Sequence, residues 1–339
     1  MFDNLRDRIR RVIRHLIGKD TIERVLRIKT VTTTEMQEAI SLWADMYQNA
    51  APWLSSTVKS LNLPSAISAE VARLATVEMK SEITGSPRAD MLNTAYAEAL
   101  SNLRRFLEYG CAKGGLIMKP YIDGKELTVD FVQADQFYPC AFDNKGNITS
   151  ILFVERMQIG AAYYTRLEQH TLTGNNYTIT NKAFKSNNKS DLGTETALDS
   201  VEAWSSLLPE ATIQNITKPL YGYFKVPIAN TIDPTSPMGV SVFSRAVELI
   251  KEADKQYSRL LWEFEGSELA IDASVDLFAK KDGKLILPKG KERLFRTYDV
   301  AADGTNDMGI KYFSPAIRDE SLVNGLNRLY QRIEFNVGL

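Results

Sequence analysis

One long two-faced helix is the strongest structural signal in this sequence. Between Gly239 and Gly266, apolar residues recur at the spacing of one helix face for about seven turns. We predict a helix over residues 240–264, which spans about 37 Å at about 1.5 Å per residue. The apolar stripe consists of Phe243, Ala246, Val247, Ile250, Ala253, Tyr257, Leu260, Leu261 and Phe264. The opposite face carries Arg245, Glu248, Lys251, Glu252, Asp254, Lys255, Arg259 and Glu263. This mixture of charges suits contact with water or with a neighbouring subunit.

A small β module and a second helix follow. Beyond Gly266 the apolar period changes from helical to alternating, around Val275 and Leu277. Asp282-Gly283 then predicts a β-hairpin, because both positions of such a turn need a positive φ. Further strands are predicted over residues 293–298 and 310–313. A second helix is predicted after Pro315, with an apolar side formed by Ile317, Leu322, Leu326, Leu329, Tyr330 and Ile333.

The first 235 residues combine helices with short strands. Thr34-Glu35-Met36-Gln37 is a capping box that predicts the start of a helix. Further helices are predicted over residues 68–83 and 89–109, the last stopping at Gly110 and Gly114-Gly115. Glu78 lies on the apolar stripe of the middle helix, so we expect it to be partly buried beside a partner such as an arginine. Strands are predicted over residues 115–121, 127–132, 136–140, 148–155, 163–171 and 177–183. The fold class is therefore α+β, with an antiparallel middle.

Composition limits the classes of function. The 339 residues are 44% hydrophobic, enough for one large core or for two or three modest ones. The 41 basic and 42 acidic side chains exclude a protein that holds nucleic acid by bulk charge alone. The sequence contains no apolar run of membrane-spanning length and no secretory signal pattern, so we expect no membrane partner. Cys111 and Cys140 have no metal-site spacing, which indicates free thiols in a reducing compartment.

The first 24 residues form a basic amphipathic segment. Its apolar stripe includes Leu5, Ile9, Val12 and Leu16, and six basic side chains surround that stripe. A helix on a membrane surface or on nucleic acid fits this pattern. A helix that docks on the body or on a neighbouring subunit fits it as well.

The sequence offers little for catalysis. It has two histidines, His15 in the basic segment and His170 in a predicted strand beside Glu168. No nucleophile is visibly paired with a base, and no phosphate loop, dinucleotide motif or zinc or calcium spacing occurs. Asp272 and other scattered acidic residues could in principle meet around a magnesium ion, but no spacing in the sequence selects them. We expect no enzyme activity, no cofactor and no metal.

Four stretches carry a resemblance to a known family. They are Trp43-Ala-Asp-Met-Tyr with Pro52-Trp53, Ala112-Lys-Gly-Gly-Leu-Ile-Met-Lys-Pro-Tyr121, Glu168-Gln-His-Thr, and residues 230–239 leading into the long helix. In their order, and with the helix, β module, helix ending, the chain resembles the portal proteins of long-tailed phages and prophages of Gram-positive bacteria. The resemblance covers almost the whole chain.

The resemblance implies a portal fold and a division of the chain. Residues 25–235 would form an α/β wing, 236–266 the first stem helix, 267–315 a small β-rich clip and 316–339 the second stem helix. Residues 1–24 would precede the wing. Identical subunits would form a ring, a dodecamer in the virion, at the portal vertex of the capsid. Double-stranded DNA would be packaged and ejected through this ring without sequence specificity.

The resemblance also implies partners. They are the terminase large subunit, the head-tail adaptor, and the major capsid and scaffolding proteins. The chain would lie in the host cytoplasm during assembly and at the portal vertex of the finished virion. Subunits would pack through the stem residues Phe243, Val247, Ile250, Tyr257, Leu260, Leu261 and Phe264. The clip would contact a partner or DNA through Lys280, Lys281, Lys284, Lys289, Lys291, Arg293 and Arg296. These clip cations exceed the acids among them by five. Because a tight grip on phosphates would slow translocation, we favour a protein partner for them.

The end of the chain departs from the family pattern. Portals continue past the second stem helix into a tunnel loop, more wing and a crown, whereas this sequence ends at Leu339. We therefore expect a truncated form that folds but does not package DNA. The alternatives are another phage head or head-tail structural protein without a DNA channel, and an enzyme that acts on nucleic acid.

Overall fold

The computed structural model describes residues 19–123, 126–281, 284–287, 294–298, 311–313 and 316–339. The predicted basic segment before residue 19 and three predicted clip cations, Lys289, Lys291 and Arg293, lie outside these residues. The chain forms two compact units. Unit 1 comprises the described residues up to Pro52 together with Asn62–Val247, and unit 2 comprises Trp53–Leu61 together with Glu248–Leu339.

Unit 1 begins with four helices. They are α1 (Lys19–Leu26), α2 (Thr34–Tyr47), α3 (Leu63–Thr76) and α4 (Ala89–Lys113). The start of α2 is capped by Thr33, whose hydroxyl accepts a hydrogen bond from the Met36 amide at 3.2 Å. The capping residue is thus one position earlier than the Thr34 that the sequence pattern indicated.

The second predicted helix is shifted toward the amino terminus. Helix α3 starts five residues earlier than predicted, with Pro64 in its first turn, and ends at Thr76. The Asn93 side-chain amide hydrogen-bonds both the N–H and the carbonyl of Ile83, at 2.7 and 2.6 Å. Because this amide takes both backbone groups, Ile83 lies in a loop. Glu78 is exposed beyond the helix, so its predicted burial is wrong.

Helix α4 runs through Gly110 and ends at Lys113, followed by the capping residue Gly114, which has a φ of 91°. A Cβ at Gly110 would lie 3.0 Å from Leu116 Cβ. Gly110 therefore permits close packing of the helix against a strand, and the prediction that it stops the helix is wrong.

Two antiparallel sheets complete unit 1. The first has the order β2-β1-β9, from β1 (Gly115–Asp123), β2 (Glu126–Gln133) and β9 (Gly222–Lys225). The second has the order β3-β4-β5-β6-β7, from β3 (Phe137–Phe142), β4 (Ile148–Ile159), β5 (Ala162–Thr173), β6 (Asn176–Ser186) and β7 (Thr194–Thr196). Strand β8 (Glu210–Gln214) also pairs with β6. The predicted α+β class with antiparallel strands is confirmed.

In its described residues, unit 2 contains two helices and a small β module. The helices are α5 (Val247–Gly266) and α6 (Asp319–Val337). Between them lie β10 (Ala270–Ser274), β11 (Lys280–Lys281), β12 (Lys284–Leu285), β13 (Phe295–Tyr298) and β14 (Lys311–Phe313). Strand β10 pairs in parallel with β13 and antiparallel with β14. Strands β11 and β12 pair antiparallel, as the predicted hairpin requires, and the predicted Asp282-Gly283 turn lies outside the described residues.

The long helix begins later than predicted, at Val247 rather than at residue 240. The Val242 amide donates to the Cys111 carbonyl at 3.0 Å, and the Ser241 hydroxyl accepts from the Phe243 amide at 3.3 Å. These bonds hold residues 241–243 outside a helix. Likewise, Val275–Leu277 form a 3-10 turn where alternation had suggested a strand.

A close approach of two backbone segments yields a testable prediction. A Cβ at Gly114 would lie 2.5 Å from the Gly239 carbonyl oxygen. We expect Gly114→Ala to lower the free energy of unfolding of unit 1 by about 2–6 kcal/mol, because strain from the positive φ adds to a steric clash. Hydrogen exchange at the β1 amides would measure this loss.

Gly146→Ala is the matched control, because Gly146 has a φ of 79° and no neighbour within 4 Å of a Cβ. It should cost only the strain of the positive φ, about 1–3 kcal/mol. Equal losses in the two variants would show that the backbone approach at Gly114 contributes nothing.

Candidate functional site

The two helices of unit 2 run antiparallel and contact each other. The Arg318 guanidinium donates to both carboxylate oxygens of Glu263, at 3.1 and 2.8 Å. Further along, the Gln256 amide donates to the Leu322 carbonyl at 3.3 Å. Hydrogen bonds from Arg318 hold the pKa of the Glu263 carboxyl below its ordinary value. Glu263 had been assigned to the solvated face, so its burial corrects that prediction.

A segment from between α2 and α3 packs on α5. Asp254 accepts hydrogen bonds from the Trp53 indole and from the Leu61 amide, both at 2.8 Å, and it is 2% exposed. The Ser258 hydroxyl accepts from the Lys59 amide at 2.7 Å. Burial raises the pKa of the Asp254 carboxyl, against the opposing effect of these hydrogen bonds. Asp254 thus anchors the segment Trp53–Leu61 on α5 within unit 2. Its assignment to the solvated face is wrong.

The predicted stem stripe is buried at one end and open at the other. Phe243, which precedes the helix, and Ile250 are fully buried. Val247, Tyr257 and Leu260 are half-buried. Leu261 and Phe264 are 38% and 46% exposed. A single copy of the chain therefore leaves the second half of the stripe in contact with water.

The described clip cations have different environments. Arg296 forms a two-pronged ion pair with Asp272, at 2.7 and 2.9 Å, and lies 4.2 Å above the centre of the Phe313 ring. Lys280 is exposed. Lys281 and Lys284 lie in paired strands, and their side chains are outside the described part. Arg296 on β13 therefore connects to a side chain of β10, Asp272, and this ion pair adds to the pairing of the two strands.

A buried charge cluster links the two sheets of unit 1. Lys119, on β1, pairs with Glu168, on β5, at 2.6 Å. Arg166 contacts the same carboxylate at 3.0 Å and the Glu155 carboxylate at 2.6 Å. The resemblance had singled out the stretches around Lys119 and Glu168 without a reason for them. In the structure, these two stretches meet in this contact between the sheets.

The same carboxylate also binds a histidine. His170 Nε2 lies 2.7 Å from Glu168 Oε1, and His170 Nδ1 lies 2.7 Å from the Tyr177 hydroxyl. Burial alone would raise the pKa of Glu168, but the hydrogen bond from His170 and the charges of Lys119 and Arg166 hold it well below its ordinary value. Because Tyr177 and His170 are 1% and 4% exposed, a substrate has no access to them. The arrangement is a structural connection between the sheets.

Other chemistry finds little support in the described part of the chain. No group of three or more His, Cys, Asp or Glu side chains there is arranged to hold a metal ion. Asp272 is occupied by Arg296. Burial raises the pKa of both thiols, Cys111 and Cys140, to about 12. Among the described helices, none has the length and apolar character needed to cross a bilayer.

Comparisons with known proteins include a distant structural similarity. No protein-family model and no curated protein matches the sequence. A solved chain described as "Neck of native GTA particle computed with C12 symmetry" is similar over 89% of this chain and 68% of its own length. Its sequence identity is 10% and its TM-score is 0.33. A similarity at this level carries no argument about fold or function.

The charge cluster generates a prediction for stability. Glu168→Gln leaves Lys119 and Arg166 without their shared carboxylate inside unit 1. Removal of one partner of a buried ion pair typically costs about 3–5 kcal/mol, so we expect that loss in the free energy of unfolding at pH 7. Urea unfolding, monitored through hydrogen exchange of the β5 amides, would measure this loss. Glu195→Gln, which breaks the exposed pair with Lys182 at 3.7 Å, should cost less than about 1 kcal/mol.

The same carboxyl predicts a dependence on pH. Its pKa is lower in the folded chain than the ordinary 4.5, so its stabilisation is present above pH 4.5 and is lost as the pH falls toward the folded pKa. The free energy of unfolding of unit 1 should therefore decline below pH 4.5, and less steeply in Glu168→Gln. Parallel declines in the two proteins would contradict a role for Glu168.

Proposed function

We propose that this chain is a subunit of the portal ring of a tailed phage or a phage-like particle. The observation that carries the proposal is the organisation of unit 2. A long helix leads into a small β module, and a second helix returns antiparallel to the first, held by Glu263 with Arg318 and by Gln256 with Leu322. This is the stem, clip and stem order that the sequence resemblance implies.

Exposed apolar residues on this unit support self-association. Leu261, Trp262 and Phe264 are 38%, 66% and 46% exposed within about one turn of α5. Contiguous exposed apolar side chains mark interaction sites on soluble proteins. In a ring, the neighbouring subunit would cover them. Heterologous contacts of this kind close into a ring when the rotation between copies closes.

The finer roles are part of the same proposal. DNA would pass through the ring, and the clip, with its exposed Lys280 and the neighbouring lysines, would dock a motor or adaptor protein. The role is structural rather than enzymatic. It suits a chain whose buried histidine and carboxylates are engaged with one another.

Electron microscopy of the purified chain tests the proposal. We expect rings with a central hole at least as wide as a DNA duplex. Rings without such a hole, or other closed assemblies, would favour a head-tail structural protein without a channel. A chain that remains monomeric at every concentration would contradict both roles.

The open half of the stem stripe predicts a separation of folding from assembly. Leu261→Asp combined with Phe264→Asp should lower the yield of rings, because both side chains would face a neighbour. Since both are already partly in water, the free energy of unfolding of the monomer should change by only about 0.5–1 kcal/mol. Mass photometry and urea unfolding measure the two effects.

Leu208→Asp is the control, because Leu208 is 63% exposed in unit 1. It should leave both the ring yield and the stability unchanged. Normal ring yield in the double variant would show that this stripe is not a subunit contact.

A further inference from the structure

A groove on unit 2 has a distinct chemistry. It has a volume of about 460 Å³ and is lined by Leu249, Arg328, Gln331, Arg332, Phe335 and Asn336. We call these residues the arginine groove. Arg328 and Arg332 are four residues apart on α6, so they lie on one face of the helix. The polar lining consists of guanidinium and amide groups, and the groove contains no carboxylate.

The two arginines lack a carboxylate partner within the part of the chain that the structure describes. By contrast, Arg318 and Arg296 each grip a carboxylate with two nitrogens. Beside the unneutralised pair, Phe335 is 86% exposed. The groove therefore offers two positive charges next to an apolar ring that remains in water.

This combination favours a protein partner over nucleic acid. Arginine and aromatic residues are enriched in the centres of protein interfaces. A phosphate backbone would match the arginines but would leave Phe335 without an apolar contact. An acidic helix with some apolar surface would match both.

The register of the helix pair indicates which acidic segment fits. Glu263 faces Arg318, Gln256 approaches Gly325, and Leu249 shares the groove with Arg332. Residues near 249 therefore lie at the same level along the pair as residues 328–332. Two acidic residues of α5, Glu248 and Glu252, are within one turn of Leu249.

Both of these carboxylates are available for exchange. The Glu248 and Glu252 side chains are 78% and 49% exposed. Each pairs with a lysine three residues further along, at 3.0 and 2.7 Å respectively. Exposed pairs of this kind contribute little, so their replacement by an intersubunit pair costs little.

We propose that the arginine groove of one copy receives Glu248 and Glu252 of a second copy. This inference rests on the proposed ring. Copies in a ring are related by rotation without translation, so groups at one level along the axis meet a neighbour at that same level. When the helix pair runs along the axis, this condition brings the two acids to the two arginines. The contact gives the ring a charge-selective junction.

Disulfide trapping tests the contact. We would mix two variants, Arg328→Cys and Glu252→Cys, and oxidise the mixture. We expect a crosslinked heterodimer, identified by mass spectrometry, at a yield at least tenfold above a control mixture of Arg328→Cys with Glu265→Cys. Residue 265 lies about 20 Å further along α5 than residue 252, at about 1.5 Å per residue, so it should not reach the groove.

Charge reversal provides a second test. Arg328→Glu with Arg332→Glu should abolish assembly, and Glu248→Arg with Glu252→Arg should do the same, because each places like charges at the junction. An equal mixture of the two double variants should restore assembly with alternating subunits, since both kinds of junction then join opposite charges. The expected recovery is to at least half of the wild-type yield, measured by mass photometry.

The outcomes separate this inference from the ring itself. Wild-type rings that neither crosslink nor respond to charge reversal would overturn the contact and leave the ring intact. Crosslinking and rescue in open assemblies would support the contact and overturn the ring. Loss of duplex DNA binding in Arg328→Glu with Arg332→Glu, without a change in assembly, would overturn the contact in favour of a nucleic-acid surface. Absence of both crosslinks and assembly would overturn both.

Discussion

The ion pair between Lys119 and Glu168 is the contact on which the body of unit 1 depends. It joins a strand of the three-stranded sheet to a strand of the larger sheet, in a place where both side chains are buried. A buried carboxylate is tolerable only when its charge and its lone pairs are satisfied. Here Lys119, Arg166 and His170 provide that satisfaction, so the relative position of the two sheets is tied to the chemistry of one carboxylate.

Local patterns predicted most of the elements. The strands over residues 115–186 and the hairpin at Lys280–Leu285 follow from alternation and turn chemistry, which depend on near neighbours in the sequence. The starts and ends of helices were less predictable where a group distant in sequence forms a hydrogen bond with the backbone. Residues 241–243 stay outside α5 because Cys111 takes the Val242 amide, and Ile83 stays outside α3 because Asn93 takes its backbone groups.

The sequence predicted which residues form the stem stripe, but it did not predict which of them are buried and which are exposed. Periodicity identified the stem stripe, but it does not reveal what covers each turn, and so it missed the contrast between buried Ile250 and exposed Phe264. It also placed Asp254 and Glu263 in water. Their partners, Trp53 and Arg318, are 201 and 55 residues away, and no local pattern connects them. Asp254 and Glu263 lie on the charged face of the helix, and nothing in the local sequence indicated that they are buried.

The route of the chain between the units has a consequence for synthesis. Residues Trp53–Leu61 belong to unit 2, although unit 1 residues precede and follow them in the sequence. The nascent chain must therefore keep this nine-residue strap unpaired until the ribosome has added nearly 200 more residues and α5 has emerged. By that time, the residues of unit 1 on both sides of the strap have already been synthesised. Unit 2 is thus built from two pieces that are synthesised far apart in time, and no single cut of the chain separates the two units.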